Sequence, residues 1–159
     1  MSEANNEPGT AAWQAIEPVW DLINIYDGPD IFLGQFRSVA PATGHLFACH
    51  WCHSEVCNGG FHQFFWNSTG VLAPEAAEGF TVLGLTDCAA LVKEAMAYFG
   101  SPYPRERSER IAQLEQLTSG TVSDVELFLE LDDRFFAAIG EFSERFYRVA
   151  DDYAQNAAS

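Results

Sequence analysis

Residues 55–70 read EVCNGGFHQFFWNSTG, a stretch in which two glycines stand directly before a group of phenylalanines. Gly59 and Gly60 follow an asparagine, and glycine readily adopts the left-handed backbone conformations that end a helix. We therefore predict a tight reversal of the chain at this point. The aromatic side chains beyond the reversal are predicted to fill the core of the fold: Phe61, Phe64 and Phe65.

Two side-chain amides in the same stretch, Gln63 and Asn67, are four residues apart and so share one face of a helix. Amides beside aromatic anchors are usually buried hydrogen-bonding groups rather than ligands for a substrate. We expect both amides to form hydrogen bonds with backbone groups at the predicted reversal. The polar, glycine and aromatic residues of the stretch are thus interpreted as structural: Glu55, Asn58, Gly59, Gly60, Phe61, Gln63, Phe64, Phe65, Asn67, Ser68 and Gly70.

Apolar residues recur every three or four positions along nearly the whole chain, as they do in amphipathic helices. Pro18 is expected to bend or restart the first helix, and the segment from Pro41 to Gly44 to break the chain between two helices. The predicted helical segments are Thr10 (as N-cap) to Asp27, then 30–37, 45–57, 61–69, 74–84, 86–99, 105–117, and a last, longest stretch that begins at Ser123 in a capping box with Glu126 and kinks at Gly140.

No segment of useful length shows the alternating pattern of a β-strand. The chain is therefore predicted to have an all-α fold, a compact helical bundle of about seven to nine helices with short connections. A chain of 159 residues can bury a sufficient core by itself. We expect a single domain over residues 1–159, with residues 1–9 flexible.

Acidic residues outnumber basic ones by 23 to 8, which gives a formal net charge of −15. Nucleic acids and anionic membranes are bound through basic faces, so this charge excludes direct binding to either. The first residues lack the basic and apolar regions of a signal peptide, and no apolar stretch is long enough to span a bilayer. We expect reduced cysteines and a cytoplasmic location.

The N-terminal part of the chain is the first candidate for a functional anionic surface. No Lys or Arg occurs before Arg37, so no local cation can neutralise the acids there. Glu17 and Asp21 are spaced by four, a like-charge arrangement that destabilises a helix, so helix stability alone does not explain it. The predicted surface comprises Glu17, Asp21, Asp27 and Asp30, together with Glu75 and Glu78, while Glu3 and Glu7 add to the local charge.

The last helical stretch carries a second set of acids, roughly aligned opposite its apolar side: Glu126, Glu130, Asp133, Glu141 and Glu144. Carboxylates spaced at one helical turn are about 6 Å apart, close to the phosphate spacing of a DNA strand. The alternative is that these acids only steady the helix, since three of them stand four residues before an arginine. The three pairs are Glu130–Arg134, Glu141–Arg145 and Glu144–Arg148.

His45, Cys49, His53 and Cys57 are spaced by four, with Cys52 beside them. Four ligands along one helix span about 18 Å and cannot converge on one tetrahedral zinc ion, so no metal is expected. A zinc site formed by two of these residues and completed by His62 remains an alternative. A nucleophile formed by Cys52 and His62 is another.

Catalytic motifs for hydrolysis, phosphate binding or zinc-dependent proteolysis are absent from the sequence. Asp132 and Asp133 are adjacent, but neighbouring helical residues point about 100° apart, and only Asp132 lies toward the apolar side. The chain is predicted not to be an enzyme and to need no cofactor.

The stretch at 55–70 resembles the signature of a bacterial family of DNA-mimic proteins, long known only as a domain of unknown function. The shared pattern is NGGF-x-Q-F-F-x-N-S-x-G, and Cys57 departs from the family, in which this position is often polar. The likeness continues more weakly through Leu83-Gly84, Tyr98-Phe99-Gly100 and Pro104 with Arg107 and Arg110, over about residues 31–117. The resemblance implies an all-helical fold, frequent dimerisation, and carboxylates that occupy the DNA-binding surface of another protein.

The function predicted from charge and resemblance is that of an acidic protein that sequesters a basic DNA-binding protein, such as a transcriptional regulator, by competing with DNA. One alternative is an immunity-type inhibitor of a basic toxin or nuclease. Another is a thiol- or zinc-dependent enzyme or sensor built on residues 49–57. We also expect a homodimer, because 13 Phe, 4 Trp and 5 Tyr are many for one small bundle to bury.

Overall fold

The structure, a computed structural model, describes residues 7–119 and 124–158. Glu3 and the predicted cap at Ser123 lie outside these residues. Within them the regular elements are all helical, which confirms the all-α prediction. The helices are α1 (Thr10–Ile16), α2 (Pro29–Phe36), α3 (Pro41–Trp66), α4 (Ala73–Leu83), α5 (Thr86–Met96), α6 (Arg107–Thr118), α7 (Asp124–Leu127), α8 (Leu129–Ile139) and α9 (Glu144–Ala158).

Helix α3 is the central element, and α1, α4, α6, α7, α8 and α9 all contact it. The segment from Pro41 to Gly44 is its first turn rather than a break between helices, because proline at the first helical position lacks only a hydrogen that would be unbonded anyway. Helix α4 crosses α3 closely at Gly79. A Cβ atom at Gly79 would lie 2.8 Å from Cys49 Sγ and 2.9 Å from the His45 carbonyl oxygen.

At Gly59 and Gly60 helix α3 kinks and continues, so the tight reversal predicted there is wrong. Gly60 has φ 73°, and the buried carboxylate of Asp132 occupies the space that a Cβ atom at this position would need. Asp132 Oδ1 accepts a hydrogen bond of 2.8 Å from the Phe61 amide. The kink thus frees an amide in mid-helix, and a carboxylate from α8 satisfies it.

The C-terminal end of α3 is closed by the fully buried guanidinium of Arg110 on α6. It donates to the carbonyl oxygens of Phe65 and Asn67, both at 2.9 Å, and to those of Pro104 and Arg105. Burial lowers the pKa of Arg110, so these carbonyls replace water around a desolvated charge. Gly70 is part of this arrangement, because a Cβ atom there would lie 2.5 Å from Arg110 Nε.

The first predicted helix is shorter than expected. Helix α1 ends at Ile16, and a 3-10 turn follows at Glu17–Val19 because Pro18 lacks the amide that would continue the helix. Asp21 lies in the turn beyond it, so the prediction that Glu17 and Asp21 are spaced along one helix is wrong. The backbone amides of Gly9 and Ala12 donate to the Asp151 carboxylate at 2.8 and 3.0 Å, which ties the start of α1 to α9.

The last predicted stretch is interrupted twice. Phe128 separates α7 from α8, and a 3-10 turn at Glu141–Ser143 separates α8 from α9. Gly140, Phe142 and Ser143 all have positive φ, which no continuous helix tolerates. The single acidic row predicted for this stretch is therefore divided among α7, α8, α9 and the turn at Glu141–Ser143.

None of the described helices is long and apolar enough to cross a membrane.

Replacing Arg110 by Met is expected to lower the free energy of unfolding by about 3–5 kcal/mol, because several buried carbonyl oxygens lose their donor. Urea unfolding of both proteins measures this loss. Arg107→Met is the matched control, since the exposed Arg107 makes one hydrogen bond of 2.8 Å to the Trp66 carbonyl. That variant should lose less than about 1 kcal/mol. Equal losses in the two variants would contradict a central role for Arg110.

Candidate functional site

The N-terminal acidic surface comprises Glu17, Asp21, Asp27 and Asp30, and all four side chains are exposed. No ion pair with any described residue neutralises them, although Asp27 accepts a hydrogen bond of 2.5 Å from the Asn24 side chain. The structure therefore leaves these four carboxylates in water and uncompensated, as a surface that attracts cations would require.

Glu75 and Glu78, predicted to join this surface, both lie on α4 and differ in their surroundings. Glu78 is exposed, whereas Glu75 is half-buried and accepts two hydrogen bonds from Arg105, at 2.7 and 2.8 Å. Because the ion pair cancels its charge locally, Glu75 adds little to an external field. Its geometry is that of a structural contact between α4 and the segment before α6.

Among the C-terminal acids, only one predicted helix-steadying pair forms within the described residues. Glu130 lies 3.8 Å from Arg134, and Arg134 is closer to Glu94 of α5, at 2.9 Å. Arg145 binds Asp87 rather than Glu141, and no ion pair joins Glu144 to Arg148. The exposed carboxylates of Asp133, Glu141 and Glu144 have no cation from the described chain.

Glu126, Glu130 and Glu94 line a cleft of about 550 Å³ between α5 and the α7–α8 segment, together with Arg134 and Tyr98. We call it the acidic cleft. Three carboxylates face one guanidinium there, so the cleft keeps a negative charge. Glu94 was missed by sequence reasoning, because nothing local to α5 indicates that α8 packs against it.

The stretch at 55–70 is structural in most of its contacts. Phe61, Phe64 and Phe65 are fully buried, as predicted. The amides of Gln63 and Asn67 do not satisfy backbone groups as expected, since both donate to Glu55 Oε2 at 3.0 Å. Their spacing brings both amides to one face, and the Glu55 carboxylate, 8 and 12 residues earlier in the chain, is a better acceptor than a neutral carbonyl.

The remaining polar residues of this stretch are partly open to solvent. Asn58 is exposed, and Ser68 is half-buried at the edge of a polar cleft that Glu55 and Asn67 also line.

The cysteine thiols offer little nucleophilic or metal-binding character. Cys49, Cys52 and Cys88 are buried, and burial raises the pKa of each thiol, that of Cys88 to about 12. At neutral pH they are therefore thiols rather than thiolates. Cys57 is exposed, but partial desolvation of its thiol by the surrounding protein still raises its pKa. A nucleophile at Cys52 would have no access to a substrate.

The histidines are engaged with the core. His53 stacks on Phe146 at 4.1 Å between ring centroids, and its Nε2 lies 2.8 Å from Ser143 Oγ. Burial, with a smaller contribution from His50, lowers the pKa of His53 to about 4. Within residues 7–119 and 124–158 no three His, Cys, Asp or Glu side chains are placed to hold a metal ion.

Comparison with known proteins gives one match. The family model described as DMP19-like protein matches residues 37–157. No curated protein and no solved structure matches the chain. The matched region contains the acidic cleft and the α8–α9 turn, whereas the N-terminal acidic surface precedes it.

Acidification is expected to destabilise the fold through His53. Its folded pKa of about 4 lies below the ordinary 6.5, so between these pH values the unfolded chain binds a proton that the folded chain does not. Stability is lost as pH falls through this window, by about 2–3 kcal/mol for this residue. Urea unfolding at pH 7 and pH 4.5 should show a smaller loss for His53→Gln than for the wild type. Parallel losses in the two proteins would contradict the assignment.

We also expect the purified protein to carry no stoichiometric zinc, because its buried thiols are protonated and its histidines have other partners. Elemental analysis after dialysis against zinc tests this. About one zinc per chain, with loss of the helical circular dichroism on chelation, would instead establish a metal site at residues 49–62.

Proposed function

The chain belongs to the DMP19-like family of DNA-mimic proteins, and from that premise we propose that it binds a basic DNA-binding protein and keeps that protein from DNA. Membership of this family favours a non-enzymatic role, and the proposal includes no catalysis. The proposed partner is a cytoplasmic transcriptional regulator, and binding is by carboxylates that stand in place of phosphates.

The observation that carries this proposal is the N-terminal acidic surface. Its four carboxylates are exposed, and no Lys or Arg occurs between residues 7 and 36. A protein that binds DNA through Lys and Arg releases condensed counterions from the duplex when it does so. Carboxylates fixed on a folded surface can bind the same Lys and Arg side chains in place of DNA phosphates, and no DNA has to be deformed.

The acidic cleft supports the proposal as a second anionic region. Glu94, Glu126 and Glu130 come from two segments of the chain, and their convergence depends on the fold. An unfolded acidic chain would carry equal charge without this geometry. Specific competition with DNA needs charges held at definite positions, because complementarity governs both association rate and choice of partner.

The homodimer expected from the aromatic content stays a prediction, but the aromatic content supports it less once the structure is known. One copy of the chain already buries most of its phenylalanines: Phe32, Phe47, Phe61, Phe64, Phe65, Phe80, Phe99, Phe128, Phe135 and Phe146. A dimer is therefore not needed to cover them.

The proposal is tested in two steps. The tagged protein is first used to capture partners from bacterial cytoplasmic extract, and each captured protein is purified. A fluorescent DNA duplex bound to that protein is then titrated with the untagged chain. Displacement of the duplex from a transcriptional regulator, weaker at higher salt, supports the proposal. Inhibition of a captured nuclease or toxin without any displaced regulator would favour the immunity-type alternative.

The double variant Glu17→Gln with Asp21→Asn should displace the duplex about tenfold less effectively than the wild type, since this chain loses two of the negative charges that face the partner. Its melting temperature should stay unchanged or rise slightly, because no ion pair is lost. The matched control is Glu109→Gln with Glu115→Gln, which removes two exposed charges from α6.

The control should compete almost as well as the wild type. If both double variants weaken equally, net charge alone drives binding and the N-terminal acidic surface has no special part.

A further inference from the structure

The turn between α8 and α9 holds one large apolar side chain out in water. Phe142 is 91% exposed, more than any other large hydrophobic residue of the described chain. Its φ is 52°, and that of the next residue, Ser143, is 59°. Two successive residues other than glycine in the left-handed region are rare, because the Cβ atom crowds the backbone there.

This strained conformation is imposed by the neighbours of the turn, and the phenyl ring takes almost no part in it. Ser143 Oγ lies 2.8 Å from His53 Nε2 on α3. Arg145 donates to the Ala138 carbonyl at 2.7 Å and to the Asp87 carboxylate. These contacts tie both ends of the turn to the rest of the bundle, whereas the ring itself is left in solvent.

A glycine or asparagine at position 142 would give the same turn with less strain. The fold therefore bears the cost of a phenylalanine without gaining burial from it. Strain of this kind, held in place by surrounding contacts, is found where a side chain serves binding or catalysis. An exposed aromatic ring on a firmly held backbone is suited to binding, since the backbone that carries it is already ordered before a partner arrives.

The charge around Phe142 indicates what that partner is. Glu141 precedes it and Glu144 begins α9, and both carboxylates are exposed with no ion pair in the described chain. The next arginine along the chain, Arg145, is engaged with Asp87. The turn thus presents an apolar knob with an anionic rim, which complements an apolar pocket with a basic rim.

We propose that Phe142 is the apolar anchor of the partner complex: its ring enters an apolar pocket of the basic DNA-binding protein, while Glu141 and Glu144 face that protein's Lys or Arg. The assignment rests on the proposed function and adds the contact that gives specificity beyond charge. A second copy of this chain is a poor occupant, because a symmetric contact through Phe142 would bring acidic rims together.

The test uses the regulator and fluorescent duplex identified by competition with the wild-type chain. Phe142→Gly and Phe142→Asn are compared with Leu117→Ala, which removes an exposed apolar side chain from α6. Both Phe142 variants should displace the duplex at least tenfold less effectively, because they lack the ring that becomes buried in the partner's pocket. Their melting temperatures should not fall, since glycine and asparagine accept the left-handed conformation. Leu117→Ala should leave competition unchanged.

Several outcomes would overturn the assignment. Full competition by Phe142→Gly, with weak competition by the Glu17 and Asp21 double variant, would refute the anchor and leave the proposed function standing. A marked fall in melting temperature for both Phe142 variants would show a structural side chain. Conversion of a dimer to a monomer, seen by light scattering, would make the occupant a second copy. A wild-type chain that displaces no duplex overturns both proposals.

Discussion

The buried guanidinium of Arg110 is the constraint on which the centre of the structure depends. A charge taken out of water has to be surrounded by polar atoms, and here they are backbone carbonyl oxygens from the end of α3 and from the segment before α6. This requirement sets the path of both segments. It also fixes Gly70, because no side chain fits beside Arg110 Nε, and Tyr103 adds a hydrogen bond of 2.7 Å to the Gly70 carbonyl.

Asp132 completes this arrangement at the other end of the same half-helix. The segment 61–66 receives a carboxylate at its first amide and a guanidinium at its last carbonyls, so each buried charge meets the helix end of opposite polarity. Burial raises the pKa of Asp132, and the Phe61 amide partly offsets that rise. Both charges come from elements far along the chain, so the two halves of the bundle cannot separate without exposing unsatisfied groups of α3.

Much of this fold could be predicted from the sequence, because helix boundaries and buried aromatic positions follow from local spacing. The bounds of α4 and the burial of Phe64 and Phe65 are examples. The pairing of charges could not be predicted in the same way. Arg145 is four residues from Glu141 but binds Asp87, 58 positions away, because Gly140 and Phe142 end α8 before the expected pair can form.

The candidate site likewise has parts that could be predicted from the sequence and parts that depend on the folded chain. The exposed acids of the N-terminal acidic surface are visible in the sequence, since their lack of local cations is a matter of composition. The acidic cleft needs Glu94, which only the packing of α5 on α8 reveals. The outward ring of Phe142 is hidden as well, since helical periodicity would place it among the buried residues.

The anionic surface results as much from where the cations lie as from the number of acids. The chain has 8 Lys and Arg, and several of them are committed to the fold: Arg105 to Glu75, Arg110 to backbone carbonyls, Arg134 to Glu94, and Arg145 to Asp87. Each of the three ion pairs cancels one cation and one acid, so the exterior field comes from the acids that have no such partner. The exposed carboxylates of Glu17 and Asp21 then contribute nothing to internal pairing, so their charge is available to an incoming protein without any loss of structure. Separating the two roles allows the fold to tolerate a strongly acidic exterior, because its own stability depends on the few charges that are already matched.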